Sequence, residues 1–208
     1  AVEARVASLS TDERQLLERA ACMGSVFWRG GLVAIDRAEA PPVERWPDEP
    51  SESLGRLKQM LKRLVDRDYI LHIPDSSFPG DVEFCFKNAR ERERIVRGTS
   101  AADLRRHHRI LGEWIEHRAP TVATEEHAFM LARHWELAGV RKRGALAYLD
   151  AGDAARDHYA HQKAAEYYAR GLELLEDSDN RRRLDALHAF GAVLLPLGRT
   201  DESLAKFR

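Results

Sequence analysis

The sequence predicts a mostly α-helical chain in two parts. Residues 1–99 read as a helical domain closed by one β-hairpin, and residues 100–208 as a helical linker followed by stacked helical repeats. Three observations carry that expectation. Tyr148, Ala151, Gly152, Ala155, Ala164 and Tyr168 recur in type as Leu187, Phe190, Gly191, Leu194, Ser203 and Phe207, always 39 residues later (187 − 148 = 39). Leu54, Leu57, Leu61, Leu64 and Val65 keep the spacing of one face of an amphipathic helix. Two short apolar runs, Tyr69–Ile73 and Val82–Phe86, flank a turn-rich link that holds Pro79-Gly80, the pattern of a hairpin.

The first helix is announced by Ser10-Thr11-Asp12-Glu13, a hydroxyl at the N-cap with carboxylates in the first turn. Leu16, Leu17, Ala20 and Ala21 follow at helical spacing, and Gly24 ends the run. Phe27-Trp28 opens a short segment through Val33 and Ile35. Pro41, Pro42, Pro47 and Pro50 mark a loop insertion at about 37–51. Ser51 or Ser53 starts the next helix, with Lys58, Lys62 and Arg63 mainly on its outer faces. Three helices followed by a β-hairpin give the order of a winged helix, which invites DNA contact through Leu54–Arg67; the lack of an aromatic or Asn/Gln cluster for base readout favours packing against a neighbouring domain instead.

From Ser100 the pattern is helix after helix. Ala101–Arg118 places Leu104, Ile110, Leu111, Trp114 and Ile115 on one face, and Pro120 stops it. Glu125–Ala138 carries Phe129, Leu131 and Trp135, and Gly139 closes it. Breaks near Ala160, Asp177 and Gly198 divide the remainder into pairs. The 39-residue match has the residue types of a tetratricopeptide repeat, with Asp177–Arg181 holding the extra length. Gly152 and Gly191 permit close helix approach, Ala164 and Ser203 do so from the second helix, and Tyr168 and Phe207 fill the gap beside Tyr148 and Leu187. Such units cannot bury their apolar faces alone, so they stack and present an extended surface for a protein or peptide. The chain begins without Met and stops within a repeat, and is expected to be a piece of a longer protein.

Composition fits a protein with a real core: 44% hydrophobic and 32% charged residues, net charge −1. That net charge gives no global attraction to nucleic acid. The stretch from Arg56 to Arg109 holds 13 basic and 8 acidic residues, a local excess of +5. No apolar run reaches membrane-spanning length. Cys22 and Cys85 share no metal or redox spacing, which suits a reducing cytoplasm. The histidine pairs match no zinc pattern, and neither a phosphate-binding Gly-x-x-x-x-Gly-Lys-Ser/Thr loop nor a Gly-x-Ser-x-Gly elbow occurs. No catalytic residue and no metal ligand is expected in this segment.

Three further motifs share an order with a known family. Ser8-Leu9-Ser10-Thr11-Asp12-Glu13-Arg14, the run Phe84–Glu93 and His134-Trp135-Glu136-Leu137-Ala138-Gly139 resemble segments of bacterial signal-transduction ATPases of the STAND group. That group includes LuxR-type transcription regulators and proteins associated with adenylate cyclase or serine/threonine kinase domains. The resemblance implies a winged-helix region leading into helical repeats, with an ATPase core before residue 1 and ATP or ADP bound there. It implies a non-catalytic regulatory segment that couples a nucleotide switch to partner binding. A DNA-binding winged-helix module, or the non-catalytic part of a kinase or cyclase, are its alternatives. Asn88 stands where the family usually has a His near the nucleotide. Asn can hydrogen-bond there but carries no charge, and it equally suits the cap of a helix starting near Ala89.

Overall fold

The computed structural model describes residues 2–39, 51–118, 124–176 and 180–206. Most of the expected insertion at 37–51, and Phe207, lie outside them. Among the described residues are eleven helices and three strands, so the chain is mostly helical with one small antiparallel sheet. It divides into two compact units, Ala1–Trp114 and Ile115–Arg208. The sequence pattern predicts this division at 99/100. The first unit reaches further because Leu104, Ile110, Leu111 and Trp114 pack with Cys22 and Ile35 in its second small core.

The first unit begins with α1 (Val2–Ala7) and α2 (Thr11–Met23). Ser10 caps α2 in a reciprocal box: its hydroxyl accepts from the Glu13 amide at 3.2 Å, and Glu13 accepts from the Ser10 amide at 3.0 Å. The segment from Phe27 to Ile35 splits in two, into β1 (Val26–Trp28) and α3 (Arg29–Glu39). Then come α4 (Ser51–Asp66), β2 (Ile70–Ile73), β3 (Glu83–Phe86), α5 (Ala89–Gly98) and α6 (Ala101–Arg118), the last carrying the division between units. β3 is the central strand, antiparallel to β1 and β2, with Phe27 opposite Phe84 and Ile70 opposite Phe86. β1 has no signature in the sequence, because three residues are too few to show alternation. Its partner β3 defines it from a distance of more than fifty residues.

Leu16, Leu17 and Ala20 of α2, Leu57, Leu61 and Leu64 of α4, Phe27, Ile70, Phe84 and Ile95 form the main core of this unit. Phe27 stacks on Phe84 with centroids 5.5 Å apart.

The second unit holds α7 (Glu125–Leu137), α8 (Arg141–Asp157), α9 (His161–Leu174), α10 (Asn180–Leu194) and α11 (Thr200–Lys206). Each helix packs chiefly on its neighbours in the chain. The core is rich in small residues: Ala132, Ala145, Ala147, Ala151, Ala155, Ala164 and Ala165 are buried beside Tyr148, Leu149, Tyr168 and Phe190. Small side chains let helix backbones approach closely, and the tyrosines fill what remains. Gly139, in the left-handed region at φ 77°, turns the chain from α7 toward α8.

Candidate interaction surfaces

In the first unit, α4 turns Leu57, Leu61 and Leu64 inward and leaves Lys58, Lys62 and Arg63 exposed. No ion pair or hydrogen bond to a described residue engages these three cations. Much of the positive excess elsewhere in the stretch is neutralised. Arg67 bonds Glu13 at 2.8 Å, Lys87 bonds Asp68 at 2.7 Å, and Arg106 bonds Glu39 and Asp103. Arg90 and Arg94 of α5 and Arg105 of α6 likewise have no ion pair to a described residue, so the unpaired positive charge is shared by α4, α5 and α6.

The link from β2 to β3 is held against the body of the unit. Phe78 is fully buried, with its ring 5.0 Å from both Trp28 and Trp114. Buried Glu83 accepts from Trp28 Nε1 at 2.8 Å, from the Ser77 amide at 2.7 Å and from the Ser77 hydroxyl at 2.9 Å. Asp81 accepts from the amides of Gly30 and Val82, capping the start of α3. Residues 74–82 contain Asp75 and Asp81 but no Lys or Arg.

Asn88 is the N-cap of α5. Its Oδ1 accepts from the amides of Arg90 at 2.9 Å and Glu91 at 3.4 Å. His107, His108, His127 and His134 are buried. His107 Nε2 lies 2.7 Å from Glu39 Oε1, and its Nδ1 lies 3.7 Å from Cys22 Sγ. That triplet has the connectivity of a nucleophile and base, but Cys22 is 6% exposed and burial pushes its thiol up to about 12. Protonated and out of reach, it ties α2, α3 and α6 together. Burial works against an ionised Glu39, yet His107 and Arg19 outweigh it and hold the carboxyl below its ordinary value. Among the described residues no group of three or more His, Cys, Asp or Glu could hold a metal ion.

In the second unit the described residues of the 39-residue match lie at or beside helix contacts. Gly152 of α8 faces Tyr168 of α9, and a Cβ there would stand 2.8 Å from the tyrosine ring. Ala164 is fully buried, as is Ala155. Tyr148 donates to Glu136 at 2.7 Å and Tyr168 to Asp153 at 2.7 Å. In the later copy Phe190 and Gly191 are buried, Leu187 is half-buried, and the Ser203 hydroxyl donates to the Gly191 carbonyl at 2.8 Å. Ser203 thus acts as a donor as well as a small residue.

Sequence reasoning missed Gly171 and the ties made by Glu136. A Cβ at Gly171 would stand 2.6 Å from Leu149 Cδ2, so α8 and α9 interlock at two glycines, one from each helix. Glu136 accepts from Tyr148 of α8 and from Arg170 Nε of α9 at 2.9 Å, with a further bond from Arg170 Nη2. Burial opposes the Glu136 charge, but these donors hold its carboxyl below the usual range. Trp135 is buried, with the Arg143 guanidinium over its ring at 4.6 Å. The His134–Gly139 segment is therefore a structural junction: a plug, an ionic tie and a turn.

No known family model matches the chain, and no curated protein matches it. Among the described residues no helix is long and apolar enough to cross a membrane.

Proposed function

We propose that this chain is a non-catalytic regulatory and protein–protein interaction segment of a larger bacterial signalling ATPase or transcriptional regulator. In this reading the first unit is a winged-helix-like domain, the second a tetratricopeptide-like α-solenoid, and the segment works in the cytoplasm. It couples a nucleotide switch to partner binding. The first unit packs on an ATPase domain in the resting state, and a protein or peptide on the repeats favours release by its differential affinity.

The observation that carries the reading is the contrast within the first unit. α4 offers three unpaired cations, while the link that would form the wing is pinned by Phe78 and carries acids only. DNA phosphates would meet attraction on one side and Asp75 on the other, whereas a protein surface can match both. The order helix, strand, two helices, two strands, with β1 beside β3, supports the winged-helix assignment. Helices packed on their chain neighbours at Gly152 and Gly171 support the repeat assignment. The free thiols of Cys22 and Cys85 suit a reducing compartment.

A DNA-binding module is the second reading. It is favoured by one fact: α4 holds the position of a recognition helix and bears Lys58, Lys62 and Arg63. The parent's output, as regulator, adenylate cyclase or serine/threonine kinase, belongs to other domains.

ATP tests the first reading. The segment alone should neither bind nor hydrolyse ATP at micromolar concentrations. The complete protein should do both, and alanine at Lys58, Lys62 and Arg63 should raise its turnover. Micromolar ATP binding by the isolated chain, or a complete reading frame without a phosphate loop, would count decisively against it.

A further inference from the structure

One cleft in the first unit has no part in either reading. It lies among α1, α2 and α5, encloses about 430 Å³, and is floored by buried Val6 and Ile95. Four charged side chains line it: Glu3, Arg14, Glu18 and Arg94. Arg14 donates one Nη to the Val6 carbonyl at 3.0 Å, which fixes the guanidinium at the rim and leaves its other donors open. The side chains of Glu18 and Arg94 make no hydrogen bond or ion pair to any described residue, and none with each other. Elsewhere in this unit each buried carboxylate has at least one donor, although Glu91 Oε2 has none. Glu13 has Ser10 and Arg67, Glu83 has Trp28 and Ser77, and Glu91 has Arg5 at 2.5 Å.

The Glu18 carboxylate has no such donor. It is half-buried, and burial pushes its carboxyl above the ordinary value, with Arg14 only partly offsetting this. A carboxylate kept in such a place without a partner lowers stability. Opposite charges that share a cleft but do not touch leave a gap of complementary polarity. A molecule with a cationic and an anionic end bridges that gap, and an apolar body between the ends covers Val6 and Ile95.

We propose that the cleft among α1, α2 and α5 binds a small zwitterion of amino-acid or dipeptide size with an aliphatic side chain. Glu18 receives the ammonium group, Arg94 and Arg14 receive the carboxylate, and Val6 and Ile95 take the side chain. Glu3 at the rim disfavours ligands with excess negative charge, so an inorganic phosphate or a dicarboxylate is a poor occupant. The inference stands on the cleft alone and does not require the winged-helix assignment or an ATPase parent.

The test is an amide-shift titration of the whole 208-residue chain by two-dimensional NMR, with leucyl-leucine as probe. N-acetyl-leucyl-leucine, leucyl-leucinamide and inorganic phosphate serve as comparison ligands. Saturable shifts confined to α1, α2 and α5 are expected for leucyl-leucine at millimolar concentration or below. Each capped form should bind about tenfold more weakly, the loss of one charge-assisted contact. Glu18→Gln should weaken binding to a similar degree while leaving the urea midpoint unchanged or raised, a combination a merely structural carboxylate does not give. Arg94→Gln, at an exposed position, should also weaken binding and decides the matter if Glu18→Gln does not fold. Absence of saturable shifts overturns the proposal. So does equal binding of the capped forms or of phosphate, or wild-type affinity in Arg94→Gln.

Discussion

The two units solve the same problem of burying a helical core by different chemistry. The second brings backbones together with glycine and alanine, so its critical contacts are steric: Gly152 on Tyr168 and Gly171 on Leu149. The first surrounds a small sheet and relies on buried carboxylates whose partners come from distant parts of the chain, such as Glu83 with Trp28 and Glu91 with Arg5. Steric complementarity between neighbouring helices repeats along a sequence. A carboxylate's partner, by contrast, is specified once and leaves no period.

That difference can be broken most severely at Phe78. Its ring fills the space between Trp28 and Trp114, and truncation to Ala should cost about 3–5 kcal/mol. Hydrogen exchange should show protection lost in residues up to Trp114 and retained in α8 and α9, since each unit has its own core. Equal loss in both would mean that the units do not stand as separately stabilised bodies.

The steric side is tested by Gly152→Leu and Gly171→Leu. Each forces a side chain into space already taken, and overpacking costs about 1–3 kcal/mol. Gly98→Ala is the control, since a Cβ there meets nothing within 4 Å and the change should be neutral or stabilising. Urea midpoints measure all three. Unchanged midpoints for both leucine variants would show that close approach at these glycines does not hold the helices.

Acid should act on both units through different carboxyls. In the first, burial raises Glu13, but the Ser10 amide and Arg67 prevail and hold it below its ordinary value; Glu39 behaves likewise. In the second, Glu136 is held down by Arg170 and Tyr148. A carboxyl lowered by folding stabilises above its unfolded value, near pH ~4.3, and loses that contribution as pH falls through the folded one. Stability should therefore decline below about pH 4.3, and Glu13→Gln and Glu136→Gln should each flatten part of that decline. A decline of unaltered steepness in both variants would remove these ties from the account.

How much of this was legible follows from where the information lies. The α2 start, the α4 face, the β2–β3 hairpin and the helix breaks at Ala160 and Gly198 are local signals, and they appear in the structure within a residue or two. β1 and α3 were not separated because Phe27-Trp28 becomes a strand only through pairing with β3. Tyr148, Gly152 and Tyr168 are marked in the sequence by the 39-residue match. Gly171 and Glu136 were not, because no copy of either contact stands out 39 residues away. Asn88 read equally as a cap or a sensor position, and its side chain bonds the first amides of α5. The Glu18 cleft gave no sequence signal, for it consists of partners that are missing.

The smallest effect on stability is expected at the α4 surface. Alanine at Lys58, Lys62 and Arg63 removes no bond to a described residue and should shift stability by no more than about 0.5 kcal/mol. The same variant serves the most direct test of the central claim, that this face meets protein and not DNA. Fluorescence anisotropy of labelled duplex DNA should be titrated with wild type and variant at low and physiological salt. The account predicts no sub-micromolar binding at physiological salt and no difference between the two proteins. Sub-micromolar wild-type binding that falls steeply with salt and disappears in the variant would contradict it and make the first unit a DNA reader.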